Sequence, residues 1–276
     1  MKTLYVSDLD GTLMQPDARI STQAVGMLNA AIAEGKMFTV ATARTPATVA
    51  GIIRDVDMRL PAIVMTGASL WNPSTGHYTR QRHFDPVAAS RLIDIYRETN
   101  TPTFLFTLDN DIIDIYHIGG KMTDLQREFM REREHSPFKR FHVDAEGHDT
   151  LPQDLSKVIL LYTMLPDAKA YSTFCLTKEV DGIRPQYYHD IYGPEIGILE
   201  AFSNEATKAK AVLGLADKTG ADRIVCFGDN INDLPMMSVA DIAVAVDNAL
   251  PEVKEAADIV IGPNTSDAVA KYILDS

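Results

Sequence analysis

Cysteine is scarce in this sequence, which contains only Cys175 and Cys226 in 276 residues. The two are far apart and form no CxxC spacing or cluster with histidine, so neither a disulfide framework nor a structural zinc site is expected. The sequence also lacks an apolar run of the roughly 20 residues that a membrane span needs, and it shows no signal-like segment at its start. We therefore expect a protein of the reducing cytoplasm.

Basic residues are fewer than acidic ones. The chain has 26 lysines and arginines against 38 aspartates and glutamates, which gives a formal net charge of -12. This charge repels nucleic acids and anionic membranes, so we expect neither as a partner. Hydrophobic residues make up 46% of the sequence, and 276 residues are enough for about two domains with buried cores.

Strands and helices alternate at both ends of the sequence. The segments that read as buried strands are "TLYVS", "MFTVAT", "AIVMTG", "RIVCFG", "DIAVAV" and "DIVIG". One predicted helix begins after Ser21 and ends at Gly35, and a second begins at Thr45-Pro46. A third has an apolar stripe at Ala209, Val212, Leu213 and Ala216. Apolar strands alternating with amphipathic helices predict an α/β fold with a doubly wound, Rossmann-like parallel sheet.

The middle of the sequence has a different pattern. The apolar segments "TFLFTL" and "IIDIYHI" are joined by the short turn 109–111, which predicts antiparallel pairing. A charged helix around Leu125 to Glu134 and a further strand in "LSKVILLYTML" follow. We predict an inserted α+β domain at 83–189, between the two halves of the core at 1–82 and 190–276.

Polar residues follow four predicted strands of the core. Asp8, Thr42, Thr66-Gly67 and Gly228-Asp229 each stand where a strand ends. An aspartate or threonine at one such position is commonly a turn or cap residue. Open parallel sheets, however, bind ligands beyond the carboxyl ends of their strands. Four such positions together predict a functional site at this edge.

Four segments resemble the motifs of the haloacid dehalogenase superfamily in order and spacing: "DLDGT" at 8–12, "ATAR" at 41–44, "TKAKA" at 207–211 and "GDNINDLPMM" at 228–237. The sequence is most similar to the Cof-type phosphatases of subfamily IIB, which carry a large α/β cap between the second and third motifs. The resemblance spans the whole chain. The chain departs from the family by having Ala43, Ala209 and Ala268 where glycine is usual, and Thr66-Gly67 where asparagine-glycine is usual.

The resemblance implies a phosphatase with an aspartyl-phosphate intermediate. Asp8 is the candidate nucleophile, because an aspartate is ordinarily ionised at neutral pH and needs no separate base. Asp10 is the candidate general acid and base, because residues two apart on an extended strand face the same side. Gly11 lets the backbone turn away after these residues, and Thr12 is expected to fix the turn.

A phosphate that approaches Asp8 and Asp229 meets like charges, which cost about 4 kcal/mol per pair at about 4 Å and an effective dielectric of about 20. Mg²⁺ would offset this repulsion and prefers hard oxygen ligands. The resemblance implies that the carboxylates of Asp8 and Asp229 and the backbone carbonyl of Asp10 hold the ion. It also implies that Asn232 and Asp233 either support these metal ligands or contact the phosphate.

Three further residues of the motifs have candidate roles. Lys208 is expected to clamp the phosphate, with Lys210 as the alternative, because it lies outside the predicted apolar stripe and near a helix N-terminus. Thr42 is expected to donate its hydroxyl to the phosphate. Arg44 either reaches the substrate or braces its loop.

The substrate and two other functions remain open at the level of sequence. The resemblance implies a small phosphorylated metabolite, and sugar phosphates, pyridoxal phosphate and a flavin precursor all fit. A sugar-phosphate mutase of the same superfamily is one alternative. A receiver-like phospho-acceptor module is another, although it would not need the general acid Asp10. Polar and aromatic residues that either line a substrate pocket or simply pack are Trp71, His117, Arg184, Tyr188, His189 and Tyr192.

Overall fold

The computed structural model describes residues 1–190 and 193–276. The chain divides into two compact units, which we call the core unit (Met1–Arg80 with Thr207–Ser276) and the insert (Gln81–Ala206). Among the described residues, no helix combines the length and the apolar character that crossing a membrane would require.

The core unit contains a five-stranded parallel sheet. Its elements are β1 (Thr3–Ser7), α1 (Thr22–Ala33), β2 (Met37–Val40), α2 (Pro46–Ile53), β3 (Ala62–Val64), β4 (Ser69–Trp71) and β5 (Tyr78–Thr79), followed after the insert by α6 (Lys208–Thr219), β12 (Arg223–Gly228), α7 (Leu234–Met237), β13 (Ile242–Val246), α8 (Pro251–Ala256), β14 (Ile259–Ile261) and α9 (Ala268–Asp275). The strand order is β14-β13-β12-β1-β2, and all pairs are parallel. The predicted α/β fold with a parallel sheet is confirmed.

The register of the sheet brings the strand ends to one edge. Ser7 at the end of β1 lies between Phe227 of β12 and Val40 of β2, so the residues that follow these strands meet at that edge. A parallel bridge between Ala41 and Ile63 extends the sheet toward β3, which also forms a small antiparallel sheet with β4 and β5. The alternation of buried strands with helices thus gathers the motif residues, as the sequence predicted.

The insert contains a six-stranded sheet. Its elements are α3 (Pro86–Glu98), β6 (Thr103–Asp109), β7 (Ile112–Ile118), α4 (Asp124–Arg131), β8 (Lys139–His142), β9 (Val158–Pro166), α5 (Asp167–Thr177), β10 (Ile183–Asp190) and β11 (Gly193–Ser203). The order is β10-β11-β9-β6-β7-β8, antiparallel except for the parallel pair β7–β8. The predicted hairpin between β6 and β7 is present. Leu92 and Tyr96 of α3 pack with Leu105, Leu161 and Leu199 of the sheet in one buried cluster.

The predicted boundaries of the insert differ from those of the structure. The sequence-based boundary assigned 190–206 to the core unit, but β11 pairs with β10 and β9 and therefore belongs to the insert. Leu199, Ala201 and Phe202 of this strand are fully buried, and a mostly apolar segment of this kind looks like a parallel core strand in sequence. On the other side, the insert begins at Gln81 instead of residue 83.

The apolar stripe predicted for α6 is also wrong in part. The buried residues of this helix are Lys208, Ala211, Val212, Leu215 and Ala216, whereas Leu213 is 47% exposed. The buried set follows the helical spacing i, i+3, i+4, i+7 and i+8. Because its first member is a lysine, the apolar pattern alone assigned the face incorrectly.

Candidate active site

Asp8 lies immediately after the central strand β1. Its backbone N–H donates to the carbonyl of Phe227 at 3.0 Å, so the parallel pairing with β12 continues through this residue. The buried hydroxyl of Ser7 donates to the carbonyl of Asp8 at 2.7 Å. Asp8 is only 5% exposed. The sheet therefore holds a buried carboxylate at its carboxyl edge.

Lys208 places a buried cation beside this carboxylate. It is the first residue of α6, whose N-cap Thr207 accepts a hydrogen bond from the backbone N–H of Lys210. The ammonium of Lys208 donates to Oδ1 of Asp8 at 2.6 Å and to Oδ1 of Asp233 at 2.7 Å. Lys208 is 1% exposed, whereas Lys210 is exposed. The structure thus brings Lys208, and not the alternative Lys210, to Asp8.

The loop after β12 supplies two further carboxylates. Oδ2 of Asp233 accepts the backbone N–H groups of Asp229 at 3.1 Å and Asn230 at 3.2 Å, which closes the loop on itself. A Cβ atom at Gly228 would lie 2.5 Å from the Cβ of Asp233, so this close approach needs glycine. The backbone of this loop, through Asp229 and Asn230, therefore fixes the carboxylate of Asp233.

The turn after β1 contacts the same loop. The hydroxyl of Thr12 donates to Oδ1 of Asp229 at 2.8 Å. Gly11 has a φ of +76°, and a Cβ there would lie 2.3 Å from Oδ2 of Asp229. Only glycine allows this conformation and this approach together. The predicted roles of Gly11 and Thr12 in the turn agree with these contacts.

Asn248 is a supporting residue that the sequence reasoning missed. Its side-chain amide donates to the carbonyl of Gly11 at 2.7 Å, and its Oδ1 accepts the backbone N–H of Asn264 at 2.9 Å. It thereby ties the turn to the segment after β14. The only signal in the sequence was its position two residues after the end of a predicted strand, where many asparagines simply form turns.

Asp10 and Arg44 form a bidentate ion pair. The guanidinium of Arg44 donates to Oδ2 of Asp10 at 2.8 Å and to Oδ1 at 2.6 Å. The backbone N–H of Arg44 donates to the hydroxyl oxygen of Thr42 at 3.1 Å, an arrangement that leaves the hydroxyl hydrogen of Thr42 for donation. The sequence left open whether Arg44 reaches the substrate or supports its surroundings. This contact favours a supporting role, and the group that Arg44 supports is Asp10, the candidate general acid.

The carboxylates fit a divalent cation that binds hard oxygen ligands. One oxygen each of Asp8, Asp229 and Asp233 lie within 4.8 Å of one another. Both oxygens of Asp233 already accept hydrogen bonds, from Lys208 and from the loop backbone. Among the described residues, Asp8 and Asp229 each have one oxygen that accepts no such bond. The donor set therefore fits Mg²⁺ with these two as carboxylate ligands.

Burial shifts the pKa values of this cluster. Burial, reinforced by Asp233 and opposed by Lys208, raises the pKa of Asp8 to about 8. Burial likewise raises the pKa of Asp229 to about 6. Burial disfavours the ammonium of Lys208, but Asp8 and Asp233 outweigh it and raise its pKa. Because burial disfavours the ionised form of Asp8, positive charge beside it favours that form, and the ammonium of Lys208 supplies such a charge. The role of Asp8 as nucleophile stays a prediction.

The other predicted residues are not gathered here. Asn232 is exposed in the turn Ile231–Asp233, and its role in phosphate binding stays a prediction. Trp71 belongs to the core unit, where its indole donates to the carbonyl of Gly76. His117 is buried with its ring centroid 5.6 Å from that of Phe104, which favours packing. His189 pairs with Asp167. Arg184 and Tyr188 lie on β10, and Tyr192 lies outside the described residues.

Comparison with known proteins finds relatives along almost the whole chain. Residues 5–273 match the model of the haloacid dehalogenase-like hydrolase family. The chain is 24% identical to the 5-amino-6-(5-phospho-D-ribitylamino)uracil phosphatase YitU of Bacillus subtilis, over 98% of this chain and 96% of that protein. It is also 24% identical to the pyridoxal phosphate phosphatase YbhA of Escherichia coli, over 96% and 95%. The solved subclass IIB sugar phosphatase BT4131 superposes with a TM-score of 0.69 at 20% identity, over 99% and 98%.

The chain belongs to the haloacid dehalogenase-like hydrolase family. It is an enzyme of the phosphatase class, and its relatives are phosphatases of the Cof type. The resemblance predicted from the four motifs is therefore confirmed.

Proposed function

We propose that this chain is a Mg²⁺-dependent phosphatase that hydrolyses monoesters of small phosphorylated metabolites through an aspartyl-phosphate on Asp8. The observation that carries the proposal is the position of Asp8, a buried carboxylate 2.6 Å from the ammonium of Lys208 and grouped with Asp229 and Asp233. A purely structural role would not place three carboxylates and a lysine at the carboxyl edge of a parallel sheet at such a desolvation cost.

The reaction has two balanced steps. In the first, a carboxylate oxygen of Asp8 bonds to phosphorus as the ester P–O bond breaks, and Asp10 gives a proton to the departing alkoxide. In the second, Asp10 takes a proton from water as the water oxygen bonds to phosphorus. The bond to Asp8 then breaks, which releases inorganic phosphate and restores the nucleophile.

The remaining residues bind and neutralise the phosphate. The ammonium of Lys208 and the hydroxyl of Thr42 donate hydrogen bonds to phosphoryl oxygens, and Asn232 contacts the same group. Bound Mg²⁺ would supply the positive charge that keeps Asp8 ionised and offsets repulsion between carboxylates and phosphate. Asp8 and Asp229, with the backbone carbonyl of Asp10, would hold it, and Asp233 would fix Lys208 beside Asp8.

Arg44 supports the residue that transfers the proton. Since both oxygens of Asp10 accept hydrogen bonds from one guanidinium, the orientation of that carboxyl group is determined by Arg44. A planar, bidentate contact fixes orientation better than a single bond. Arg44 therefore acts on catalysis through Asp10.

The names of the relatives support the proposed substrate class. YitU and YbhA are named for a phosphorylated ribityl compound and for pyridoxal phosphate, and BT4131 for sugar phosphates. We place this chain among enzymes of such metabolites and assign the insert to substrate selection, as a cap.

The proposed location is a reducing compartment such as the cytoplasm. Cys175 is exposed and Cys226 is buried, and both are free thiols. Free thiols, one of them exposed, are typical of proteins in such an environment.

Assays of phosphate release test the proposal. A panel of sugar phosphates, pyridoxal phosphate and p-nitrophenyl phosphate should yield inorganic phosphate with Mg²⁺ and none after EDTA treatment. Added Mg²⁺ should restore turnover, and Ca²⁺ should support it poorly because its coordination shell is larger and looser. Full activity in EDTA would contradict the metal site. Transfer of phosphate between positions of one sugar without release would favour the mutase.

A further inference from the structure

Three consecutive residues after β3 have left-handed backbone conformations. Their φ angles are +50° at Met65, +55° at Thr66 and +90° at Gly67. Glycine adopts such angles freely, but a β-branched threonine rarely does. Strained residues persist only where the surrounding structure holds them, and they cluster at functional sites. We call residues 65–67 the left-handed turn.

The side chain of Thr66 does not explain the strain. The residue is 4% exposed, and its hydroxyl has no hydrogen-bond partner among the described residues. A buried hydroxyl without a partner is itself unfavourable. The reason for the conformation must therefore lie in the backbone contacts of the turn.

Two of these contacts hold the loop that follows β2. The backbone N–H of Met65 donates to the carbonyl of Arg44 at 3.0 Å, and the N–H of Thr66 donates to the carbonyl of Thr42 at 3.0 Å. Arg44 orients Asp10, and Thr42 carries a predicted phosphate donor. The left-handed turn thus fixes the backbone of both residues.

The third contact holds the start of α6. A Cβ atom at Gly67 would lie 2.3 Å from the carbonyl oxygen of Thr207 and 2.8 Å from the backbone nitrogen of Lys208. Side-chain carbon atoms do not come this close to backbone atoms. Only glycine allows the turn and the helix to approach to this distance, so Gly67 determines where the backbone of Lys208 lies.

We propose that Gly67 is a positioning residue of the active site, which acts through Lys208 by seating the first turn of α6 so that the ammonium lies between Asp8 and Asp233. The inference rests on the proposed phosphatase function and deepens it. Gly67 contacts no reacting atom. Its effect comes from geometry, and a displacement of about 1 Å in such a site can cost on the order of 10²-fold in rate.

A pair of glycine variants tests this role. Gly35 also has a positive φ, +96°, but a Cβ there would meet no atom within 4 Å. Gly67→Ala and Gly35→Ala therefore share the backbone strain, and only Gly67→Ala displaces α6. With p-nitrophenyl phosphate and Mg²⁺, kcat/KM should fall on the order of 10²-fold in Gly67→Ala and remain unchanged in Gly35→Ala. Equal activity of the two variants would overturn the proposal.

A second measurement separates positioning from general loss of structure. Calorimetric titration with inorganic phosphate and Mg²⁺ should show weaker binding for Gly67→Ala than for the wild type. In the Lys208→Met background, the same substitution should cause no further loss, because residues that act as one unit are not additive. Equal losses in both backgrounds would contradict an action through Lys208.

If circular dichroism shows that Gly67→Ala does not fold, Thr66→Gly takes its place. This change keeps Gly67 and removes the strain of a threonine at positive φ, so the contact between Gly67 and α6 should persist. Phosphate binding should then equal that of the wild type; a loss that occurs with Lys208 present and not in Lys208→Met would assign the positioning to Thr66 and overturn the proposal. A wild-type enzyme that hydrolyses no ester would instead contradict the proposed function itself.

Discussion

At the scale of single residues, the site is organised around a buried lysine that contacts two buried carboxylates. Lys208 is 1% exposed and bridges Asp8 and Asp233, so three charges are removed from water together. Such a group is costly to bury and even more costly to break, because removal of one partner leaves the others uncompensated. A role in phosphate binding explains the burial of these three charged groups better than a gain in the stability of the fold does.

Lys208→Met should therefore lower both activity and stability. We expect phosphatase activity to be lost and the free energy of unfolding of the metal-free protein to fall by about 3–5 kcal/mol, measured by urea denaturation. Lys210→Met is the matched control, because Lys210 is exposed two residues away on the same helix. Equal stability and activity in the two variants would show that the buried contacts of Lys208 are not what matters.

Arg44→Met should reduce activity in a way that depends on the leaving group. Without the bidentate contact, Asp10 loses its fixed orientation, and proton transfer typically contributes 10²–10⁴-fold. The loss in kcat should be large for sugar phosphates, whose alkoxide must be protonated, and smaller for p-nitrophenyl phosphate. An equal loss for both substrates would indicate that Arg44 contacts the substrate directly.

At the scale of helices and strands, the sequence predicted the elements that carry the site better than the faces they present. Strand ends at Asp8, Thr42 and Asp229 were readable because apolar runs stop at polar residues. The buried face of α6 was not, since a lysine begins it and its reason for burial is a contact with a residue 200 positions earlier. The assignment of β11 to the core unit failed for a related reason. An apolar segment predicts a buried strand, but it does not predict which strands pair with it, and here these are β9 and β10 of the insert.

Glu200 on β11 makes this strand sensitive to pH. Burial raises the pKa of Glu200 to about 7, against the opposing influence of Arg184 and Tyr188. Because the folded state holds the proton more tightly than the unfolded state, the free energy of unfolding should decrease as the pH rises from about 4.5 through about 7. One proton contributes at most about 1.4 kcal/mol per pH unit to this slope.

Glu200→Gln should make the free energy of unfolding depend less on pH between about 4.5 and about 7. Urea denaturation of the metal-free protein across this pH range gives the difference between the wild type and the variant, which isolates Glu200 from Asp8 and Asp229. Glu98→Gln, at an exposed position on α3, serves as the control. The account of Glu200 would be wrong if the two variants kept the same slope as the wild type.

At the scale of the whole molecule, the two units have separate sheets, and the insert has its own buried cluster. Arg80, the last residue of the core unit before the insert, donates to the carbonyl of Lys210 at 2.6 Å. The two segments of the core unit that the insert separates therefore lie close together at this point. A short linker from Arg80 to Thr207 should therefore leave a core unit that folds. The boundary at residue 189 predicted from sequence would instead have left β11 without its partners.

The shortened protein should hydrolyse p-nitrophenyl phosphate but lose selectivity among phosphate esters. The measurement is the ratio of kcat/KM values across the metabolite panel, compared with the wild type. A core unit that hydrolyses all esters of the panel with similar kcat/KM would agree with the proposal that the insert is a cap that selects the substrate. Unchanged ratios would show that the insert does not select the substrate.

The most direct test of the account is the mass of the intact protein during turnover. Asp10→Asn removes proton transfer but keeps the nucleophile, so with p-nitrophenyl phosphate, whose leaving group needs no proton, the aspartyl-phosphate should form faster than it is hydrolysed. Asp8→Asn removes the nucleophile while nearly preserving shape. After rapid acid quench, mass spectrometry should show a phosphate adduct on Asp10→Asn and none on Asp8→Asn. An adduct on Asp8→Asn, or wild-type turnover by that variant, would contradict the assignment of Asp8.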